Sequence, residues 1–328
     1  MNLAGIDIAN ESFELCMHRG DQLAHRCFNN TPSGHHQAIR WLRYRGQSAR
    51  VCLEASGIYH LRLALTLTQT DGIEVMVLNP RASRRFAEAQ MRRAKTDKVD
   101  AAMLRSYLER MPFKPWQAPS ATVLELQSLA HRLSQLQKEI NRERARLHAA
   151  ERAGHHTRLV QQDIRAHLKQ LKTRLERLDT QAIHWIRQHE TLNEDLELID
   201  SVPGFAEHSA FKVLAEVSPL APDMTAPQWV AHAGLDPRPQ ESGTSVCTPR
   251  RISKQGNAKL RAALFFPAMV AIQHDANVRA FYQARLAKGS TPRQAQVAVM
   301  RKLLHAIWGI LQHRQPWQAR RFYRLNGT

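Results

Sequence analysis

The hydrophobic pattern of the first third of the chain alternates between strand-like and helix-like runs. Apolar runs of strand character lie near residues 3–8, 13–17, 51–54 and 73–78. The segments HHQAIRWLRYR and LRLALTLTQTDG between them have helical spacing, and the second ends at a glycine suited to a C-cap. This alternation predicts an α/β unit over residues 1–118, with a mixed sheet covered by helices.

The pattern changes to heptads after three prolines, Pro112, Pro115 and Pro119. Apolar residues at 3-4 spacing predict two long helices over residues 119–190, which form a coiled-coil hairpin or a dimerisation arm. A helical spacer without a partner is the alternative, although a thin apolar stripe buries too little surface to be stable alone. The apolar positions are Leu129, Leu133, Leu136, Ile140 and Leu147, then Ile164, Leu168, Leu171, Leu175 and Leu178.

Residues 191–328 are predicted to be mostly helical. The segment LELIDSVPGFAEHSAFKVLAEV indicates a helix, a turn at Pro203–Gly204 and a second helix. A glycine turn of this kind can present backbone N–H groups to phosphate, but a plain helical hairpin fits the pattern equally well.

Charge adds a polyanion-binding surface to this picture. The chain of 328 residues carries a net charge of +18 and has a pI near 10.5. Residues 242–328 hold fifteen lysines and arginines against a single acid, Asp275. Such an excess favours nucleic acid as the partner, and composition alone does not exclude an anionic membrane.

Other features narrow the class of protein. No apolar run approaches 18 residues and no leader segment is recognisable, so we expect a cytoplasmic protein without a membrane span. The four cysteines form no CxxC pair, which argues against a disulfide framework or a zinc site. The histidine doublets His35–His36 and His155–His156 lack partners at zinc spacing.

Four acids stand out in this basic chain. Asp7 and Glu54 lie in strand-like runs, and Asp97 and Asp100 are three residues apart where the chain turns helical. Residues three apart share a helix face, so the four carboxylates can build a cage for Mg²⁺, which prefers oxygen ligands. Helix capping or surface charge is the alternative, but acids at two strand ends serve no obvious packing purpose.

These segments, in this order, resemble the DEDD-type insertion-sequence transposases of the "IS one-ten" family, which includes site-specific DNA invertases. The matching segments are GIDIAN, LEASGIY, KTDKVDA, SVPGF, AGLDPRPQESG and ISKQGNAKLRAALFFPAMVA. The resemblance implies an RNase H/RuvC-like α/β domain at residues 1–118 that carries the DEDD acids. It further implies a coiled-coil insertion at 119–190 and a basic C-terminal transposase domain at 191–328.

The resemblance also implies the chemistry and the partners. A serine works with the four acids, and Ser242 in QESG is the matching residue. By itself Ser242 is an ordinary loop serine beside Ser245 and Ser253. The expected partners are donor and target DNA, a guide non-coding RNA called a bridge RNA, and further copies of the chain in a dimer or tetramer. The protein would then be prokaryotic and work on the nucleoid.

Three functions remain open at this point. The leading one is an RNA-guided DNA recombinase or transposase that uses Mg²⁺ and Ser242. A Holliday-junction nuclease would use the same acids to activate water and would not need the serine. A nucleic-acid-binding scaffold would bind no metal. Within the leading function, a site-specific invertase of the same family differs from a transposase mainly in its DNA sites.

Overall fold

The structure is a computed structural model that describes residues 1–55, 57–91, 96–154, 157–238, 241–242, 246–247 and 251–325, with the backbone alone at 241–242 and 246–247. The chain forms two compact units, unit 1 at Met1–Ala118 and unit 2 at Pro119–Thr328. The division of unit 2 into separate domains at residues 119–190 and 191–328 stays a prediction.

Unit 1 is built on a five-stranded mixed sheet with the order β3-β2-β1-β4-β5. Strands β1 to β3 form an antiparallel meander, and β1, β4 and β5 run parallel. The parallel pairs need crossovers, which α1 and α2 supply. The strands are β1 (Asn2–Ile8), β2 (Ser12–Arg19), β3 (Gln22–Asn29), β4 (Ala49–Glu54) and β5 (Ile73–Leu78).

Helices cover both faces of this sheet. One face packs its alternating apolar residues, such as Ile6 and Leu53, against α1 and α2. The other face packs Cys52, Met76 and Leu78 against α3 and α4. The helices are α1 (Pro32–Leu42), α2 (Tyr59–Thr68), α3 (Pro80–Ala89) and α4 (Asp97–Arg110). The predicted α/β unit with a mixed sheet is confirmed, while β3 and α3 were not predicted.

Gly5 sets how closely α4 approaches the sheet. A Cβ at Gly5 would lie 2.0 Å from the carbonyl oxygen of Ala101 and 2.3 Å from the backbone nitrogen of Arg105. Only glycine therefore lets this helix backbone rest on β1. The contact fixes the start of α4 near the residues that follow Gly5 on the same face of β1.

Two long helices open unit 2. Helix α5 (Ala121–Ala153) is followed by α6 (Arg158–Arg187), which folds back along it. Leu136 and Ile140 pack against Leu168 and Leu171 in the outer part of this hairpin. The predicted helices and their apolar seam are confirmed. The seam is buried between two helices of one chain, and coiled-coil geometry stays a prediction.

The remaining helices share one core with the base of the hairpin, from Leu126 to Phe322. They are α7 (Glu190–Asp200), α8 (Glu207–Val217), α9 (Ala226–His232), α10 (Ala258–Ala263), α11 (Phe265–His274), α12 (Ala276–Ala287), α13 (Pro292–His313) and α14 (Ala319–Phe322). Four two-residue strands, β6 (Pro237–Arg238), β7 (Glu241–Ser242), β8 (Val246–Cys247) and β9 (Arg251–Ile252), interrupt them.

The predicted turn at Pro203–Gly204 joins α7 to α8. Gly204 has a φ of +88°, and a Cβ there would lie 2.1 Å from the carbonyl oxygen of Pro267. The glycine is thus explained by its close contact with α11, which favours the plain helical hairpin over a phosphate-binding turn.

Within the part of the chain that the structure describes, every helix is too short or too polar to cross a membrane.

Candidate acidic active site

Asp7 and Glu54 lie side by side at the carboxyl ends of two parallel strands. Ile6 of β1 pairs with Leu53 of β4, so Asp7 and Glu54 occupy the next position of the same register. Ile6 and Leu53 point to the face covered by α1 and α2. Because side chains alternate along a strand, both acids point to the opposite face, where α4 lies.

The first turn of α4 brings Asp97 and Asp100 to the same place. Thr96 caps this helix, since its hydroxyl oxygen accepts from the backbone nitrogen of Val99 at 3.3 Å. Asp97 is therefore the first helical residue and not the cap. Asp97 is exposed and Asp100 is half-buried.

The electrostatics of Asp7 show that the four acids are neighbours. Burial, and after it the charges of Asp100, Asp97 and Glu54, together raise the pKa of Asp7 from 3.8 to about 6. A hydrogen bond from the backbone of Ile8 opposes this rise only in part. The fold therefore assembles, from three separate elements, the four carboxylates that the sequence singled out.

Glu54 is held in place by a residue that sequence reasoning missed. The hydroxyl of Ser83, which is buried in α3, donates to Glu54 Oε2 and also lies 2.9 Å from the carbonyl oxygen of Pro80. The signal was weak, because α3 was not predicted and Ser83 lies 29 residues from Glu54. Nearby Cys52 is buried, and both its burial and the charge of Glu54 raise the pKa of its thiol to about 12.

A fifth acid, Glu14, lies next to this set. It is directly opposite Asp7 in the antiparallel β1–β2 pair, and it is buried. Its carboxylate oxygen lies 3.6 Å from Nδ1 of His25, and it is not among the groups that raise the pKa of Asp7. Glu14 therefore lies on the same face of the sheet as Asp7, but its carboxylate lies close to His25 of β3.

The donor set suits Mg²⁺ in its chemistry. Four carboxylates supply hard oxygen ligands, and a cation would offset the mutual repulsion that raises the pKa of Asp7. Across the described residues, however, no three acidic, histidine or cysteine side chains are placed closely enough to hold an ion. Repulsion acts over several ångströms, whereas Mg²⁺ needs oxygen atoms at about 2.0–2.1 Å. The acids are gathered but do not form a closed cage.

Basic residues lie along the chain around Asp97 and Asp100, and the structure describes some of them. Arg84 on α3 pairs with Glu88, with 3.0 Å between Nε and Oε1, and Arg85 and Lys98 are exposed. Arg92, Arg93 and Lys95 lie outside the described residues.

Ser242 belongs to unit 2, and its backbone lies in the short strand β7, not in the loop that the sequence predicted. Ser242 pairs there with Val246 of β8. Ser253 has a structural role, because its hydroxyl donates to Asp236 Oδ1 at 2.5 Å. Ser245 lies outside the described residues, as does the histidine doublet at 155–156.

Comparison with known protein families gives two matches along the chain. The family DEDD_Tnp_IS110, described as "Transposase", matches residues 4–150, which include all four acids. The family described as "Transposase IS116/IS110/IS902 family" matches residues 196–283, which include Ser242. A DEDD transposase domain implies an RNase H-like α/β fold, and the mixed sheet of unit 1 is compatible with it.

Relatives extend the match over nearly the whole chain. The "Pilin gene-inverting protein" of Moraxella bovis is 26% identical over 320 residues, which are 96% of this chain and 97% of that protein. The "Transposase for insertion sequence element IS1111A" of Coxiella burnetii is 29% identical over 129 residues, or 38% of this chain and 35% of the relative. Since the two family matches lie in the same order as the acids and the C-terminal motifs, the chain belongs to the IS110/IS116/IS902 family of transposases, which are DNA-recombining enzymes.

Proposed function

We propose that this protein cuts and rejoins DNA as the recombinase of a mobile element, using Asp7, Glu54, Asp97 and Asp100 as a Mg²⁺-binding active site. The observation that carries the proposal is that Asp7 and Glu54 end two neighbouring strands in register beside the first turn of α4, where burial and the charges of the other three acids raise the pKa of Asp7. A structural acid gains donors or a cationic partner when it is buried. Asp7 is instead brought toward three other acids, which suits a site that binds a cation.

The residues of unit 1 prepare this site for phosphate chemistry. Once bound, Mg²⁺ supplies charge neutralisation at a scissile phosphate and a Lewis acid for its leaving oxygen. Ser83 orients Glu54, and the contact at Gly5 keeps the first turn of α4 over the end of β1. Exposed Arg85 and Lys98 can hold the DNA backbone beside an otherwise repulsive acidic cluster.

We further propose that Ser242 is the nucleophile. Its oxygen would bond to phosphorus while a bridging DNA oxygen leaves and takes a proton, and a base would accept the serine proton. The covalent link conserves the phosphodiester energy, so reversal with a different strand end rejoins DNA without ATP. The support is the position of Ser242 within the family match and the structural role of the alternative Ser253.

Donor and target DNA are the proposed substrates, and a guide RNA is the proposed source of sequence specificity. The excess of basic residues in 242–328 suits either nucleic acid. Binding measured over a range of salt tests this role, because the log–log slope should be roughly −0.7 to −0.9 per phosphate contact. Affinity that stays constant with salt would contradict it.

Strand cleavage of a plasmid that carries the element ends tests the acidic site. Each of Asp7→Ala, Glu54→Ala, Asp97→Ala and Asp100→Ala should abolish cleavage in Mg²⁺ and leave nucleic-acid binding intact, and a chelator should abolish cleavage by the native protein. Asp21→Asn, which removes an exposed acid at the β2–β3 turn, is the control. Cleavage that survives chelation would contradict the metal, and cleavage by the Asp7 variant would contradict the assigned site.

Trapping the covalent intermediate tests the serine. Protein stopped during the reaction should carry DNA on a peptide that contains Ser242, and Ser242→Ala should bind DNA but fail to recombine it. Modification of Ser245 or Ser253 would show that a different serine acts. Cleavage by Ser242→Ala without any adduct would establish the water-activating nuclease instead.

Site-specific inversion is a second candidate within the same chemistry. It is favoured by two relatives that match nearly the whole chain and are named "Pilin gene-inverting protein". A plasmid with inverted copies of one site distinguishes the two, since an invertase flips the intervening segment and a transposase moves it to a new target.

Assembly into a dimer or tetramer also remains a proposal. Leu133 and Leu171 are buried within the chain, so changing them to aspartate would disrupt the helical hairpin itself. Leu159 at the start of α6 is 80% exposed and offers a cleaner test. If the hairpin tip joins protomers, Leu159→Asp should lower the mass in solution without lowering thermal stability. An unchanged mass would exclude the tip as the interface.

A further inference from the structure

A cationic cavity of about 450 Å³ lies between α13 and the C-terminal segment of unit 2. Its size is within the range of about 300–1,000 Å³ that is typical of small-molecule sites. The residues that line it include Lys302, Arg321, His305 and His313, together with Trp317 and Gln318. No carboxylate is among its described lining residues.

Lys302 is held at this cavity by aromatic rings. Its Nζ lies 4.5 Å from the ring centre of Phe281, 4.9 Å from that of Phe322 and 5.2 Å from that of Tyr323. These contacts fix the ammonium group and remove part of its water, and burial lowers the pKa of Lys302. A fixed, partly desolvated cation gains more from an anion than a freely hydrated lysine does.

The charges of the cavity are also not neutralised by acids. Arg314, at the end of α13, pairs with both Glu194 and Asp195. Arg321, in contrast, donates to the neutral side chain of Gln315 at 3.1 Å. Among the residues that the structure describes, neither Lys302 nor Arg321 forms an ion pair with a carboxylate. The cavity therefore presents positive charge that is open to an external anion.

An aromatic side chain completes the cavity. Trp317 lines it and is partly exposed, which suits a flat, apolar group. Cations for a phosphate and an indole for a base are the two elements with which proteins hold single-stranded nucleic acid. A paired base in a duplex is stacked on its neighbours and cannot enter.

We propose that this cavity, bounded by Lys302, Trp317 and Arg321, binds one unstacked nucleotide of a single-stranded nucleic acid, with its phosphate at the two cations and its base against the indole. This inference rests on one part of the proposed function, namely that the chain acts on nucleic acid. It adds a binding site that is separate from the acids of unit 1. The chemistry is common to DNA and RNA, so the experiment includes both.

Binding of labelled ten-nucleotide strands to the full-length protein, in chelator so that no cleavage occurs, tests the cavity. The probes are oligothymidine, oligouridine and a DNA duplex of the same length. Arg321→Gln should weaken binding of the single strands by about tenfold, the loss expected for a hydrogen bond to a charged group. Arg320→Gln is the matched control, because it removes the same charge from the same helix at an exposed residue that does not line the cavity.

The pattern across probes decides the outcome. A loss confined to the single strands and to Arg321→Gln supports the cavity, and a loss for oligothymidine alone or oligouridine alone identifies DNA or RNA as its ligand. Equal losses for both variants, or an equal loss for the duplex, would show a diffuse phosphate-binding surface and overturn the proposal. Unchanged binding by Arg321→Gln would overturn it as well.

A photo-crosslink supplies a second measurement that does not depend on a variant. An oligothymidine with one 5-bromodeoxyuridine should, on irradiation, attach to the peptide that contains Trp317. Attachment only outside residues 302–322 would contradict the site. Because both measurements record binding and not cleavage, they can fail while the acidic site of unit 1 still cuts DNA, and the reverse also holds.

Discussion

Each unit contains a carboxylate that is partly or fully buried, Asp7 in unit 1 and Glu216 in unit 2. The surroundings of these two carboxylates shift their pKa values in opposite directions. In unit 1, burial and three neighbouring acids raise the pKa of Asp7 to about 6. In unit 2, burial would raise the pKa of Glu216, but hydrogen bonds from His131 at 2.8 Å and Asn257 at 2.6 Å lower it below its ordinary value.

The comparison separates the proposed binding site at Asp7 from a structural contact at Glu216. Glu216 on α8 accepts hydrogen bonds from His131 of α5 and from Asn257 at the start of α10. Lys259 in turn donates to Nδ1 of His131 at 3.0 Å. The protein itself therefore neutralises the charge of Glu216. Asp7 lies where the fold adds further negative charge, which is the arrangement expected of the proposed cation-binding site.

The largest expected effect is that of Asp7→Asn. It should reduce cleavage by at least about a thousandfold, the several kcal/mol that a catalytic metal site supplies. It should also raise the thermal midpoint in chelator at pH 7. A carboxyl with a raised folded-state pKa costs stability once it is ionised, and asparagine removes that cost. Calorimetry of the two proteins measures this, and a lower midpoint for the variant would make Asp7 structural, like Glu216.

Two glycines extend the comparison from charges to backbone packing. Gly5→Ala would push Ala101 and the rest of α4 away from β1 and should destabilise unit 1 by about 3 kcal/mol, the cost of overpacking. Cleavage should be lost because Asp97 and Asp100 move with the helix.

Gly204→Ala should destabilise unit 2 by a similar amount through its contact with Pro267. Limited proteolysis should then detect opening in a different unit for each variant, and cleavage sites in the same unit would contradict this.

Glu216→Gln should cost about 2 kcal/mol of stability at pH 7, because the amide NH₂ of glutamine faces the donor of Asn257. A lowered folded-state pKa gives stability that is present above the unfolded pKa near 4.5 and lost as the pH falls through the folded value. The difference between the native protein and the variant should therefore shrink on acidification from pH 7 to pH 3. Thermal unfolding at several pH values measures it, and a difference independent of pH would exclude the ionised form.

Ser83→Ala gives the smallest expected effect. Removal of its hydrogen bond to Glu54 should reduce cleavage by about tenfold, as is typical for residues that orient metal ligands. The loss should shrink when Mg²⁺ is raised, since the metal can then reorient the carboxylate. Ser33→Ala, at an exposed position on α1, is the control. A loss that persists at saturating Mg²⁺ would show that Ser83 has another role.

Local sequence patterns were sufficient to predict most secondary-structure elements of unit 1 and the two helices of the hairpin. Apolar runs of strand character predicted four of the five sheet strands, and heptads predicted α5 and α6. Strand β3 was missed because it is largely exposed and its apolar residues come in two separated pairs, Leu23–Ala24 and Cys27–Phe28. Helix α3 was missed because its basic residues obscure the periodicity, although Asn79 caps it and Pro80 begins it.

The sequence by itself singled out the four acids as candidates and determined the family and the excess of basic residues at the C-terminus, since each is a property of composition or of a short motif. Only the tertiary structure decided that Glu54 is held by Ser83, that Glu14 lies opposite Asp7, and that Lys302 and Arg321 meet at one cavity. The physical reason is sequence distance. Strand register, the crossing of α4 at Gly5 and the return of the C-terminal segment onto α13 join residues that no local pattern connects.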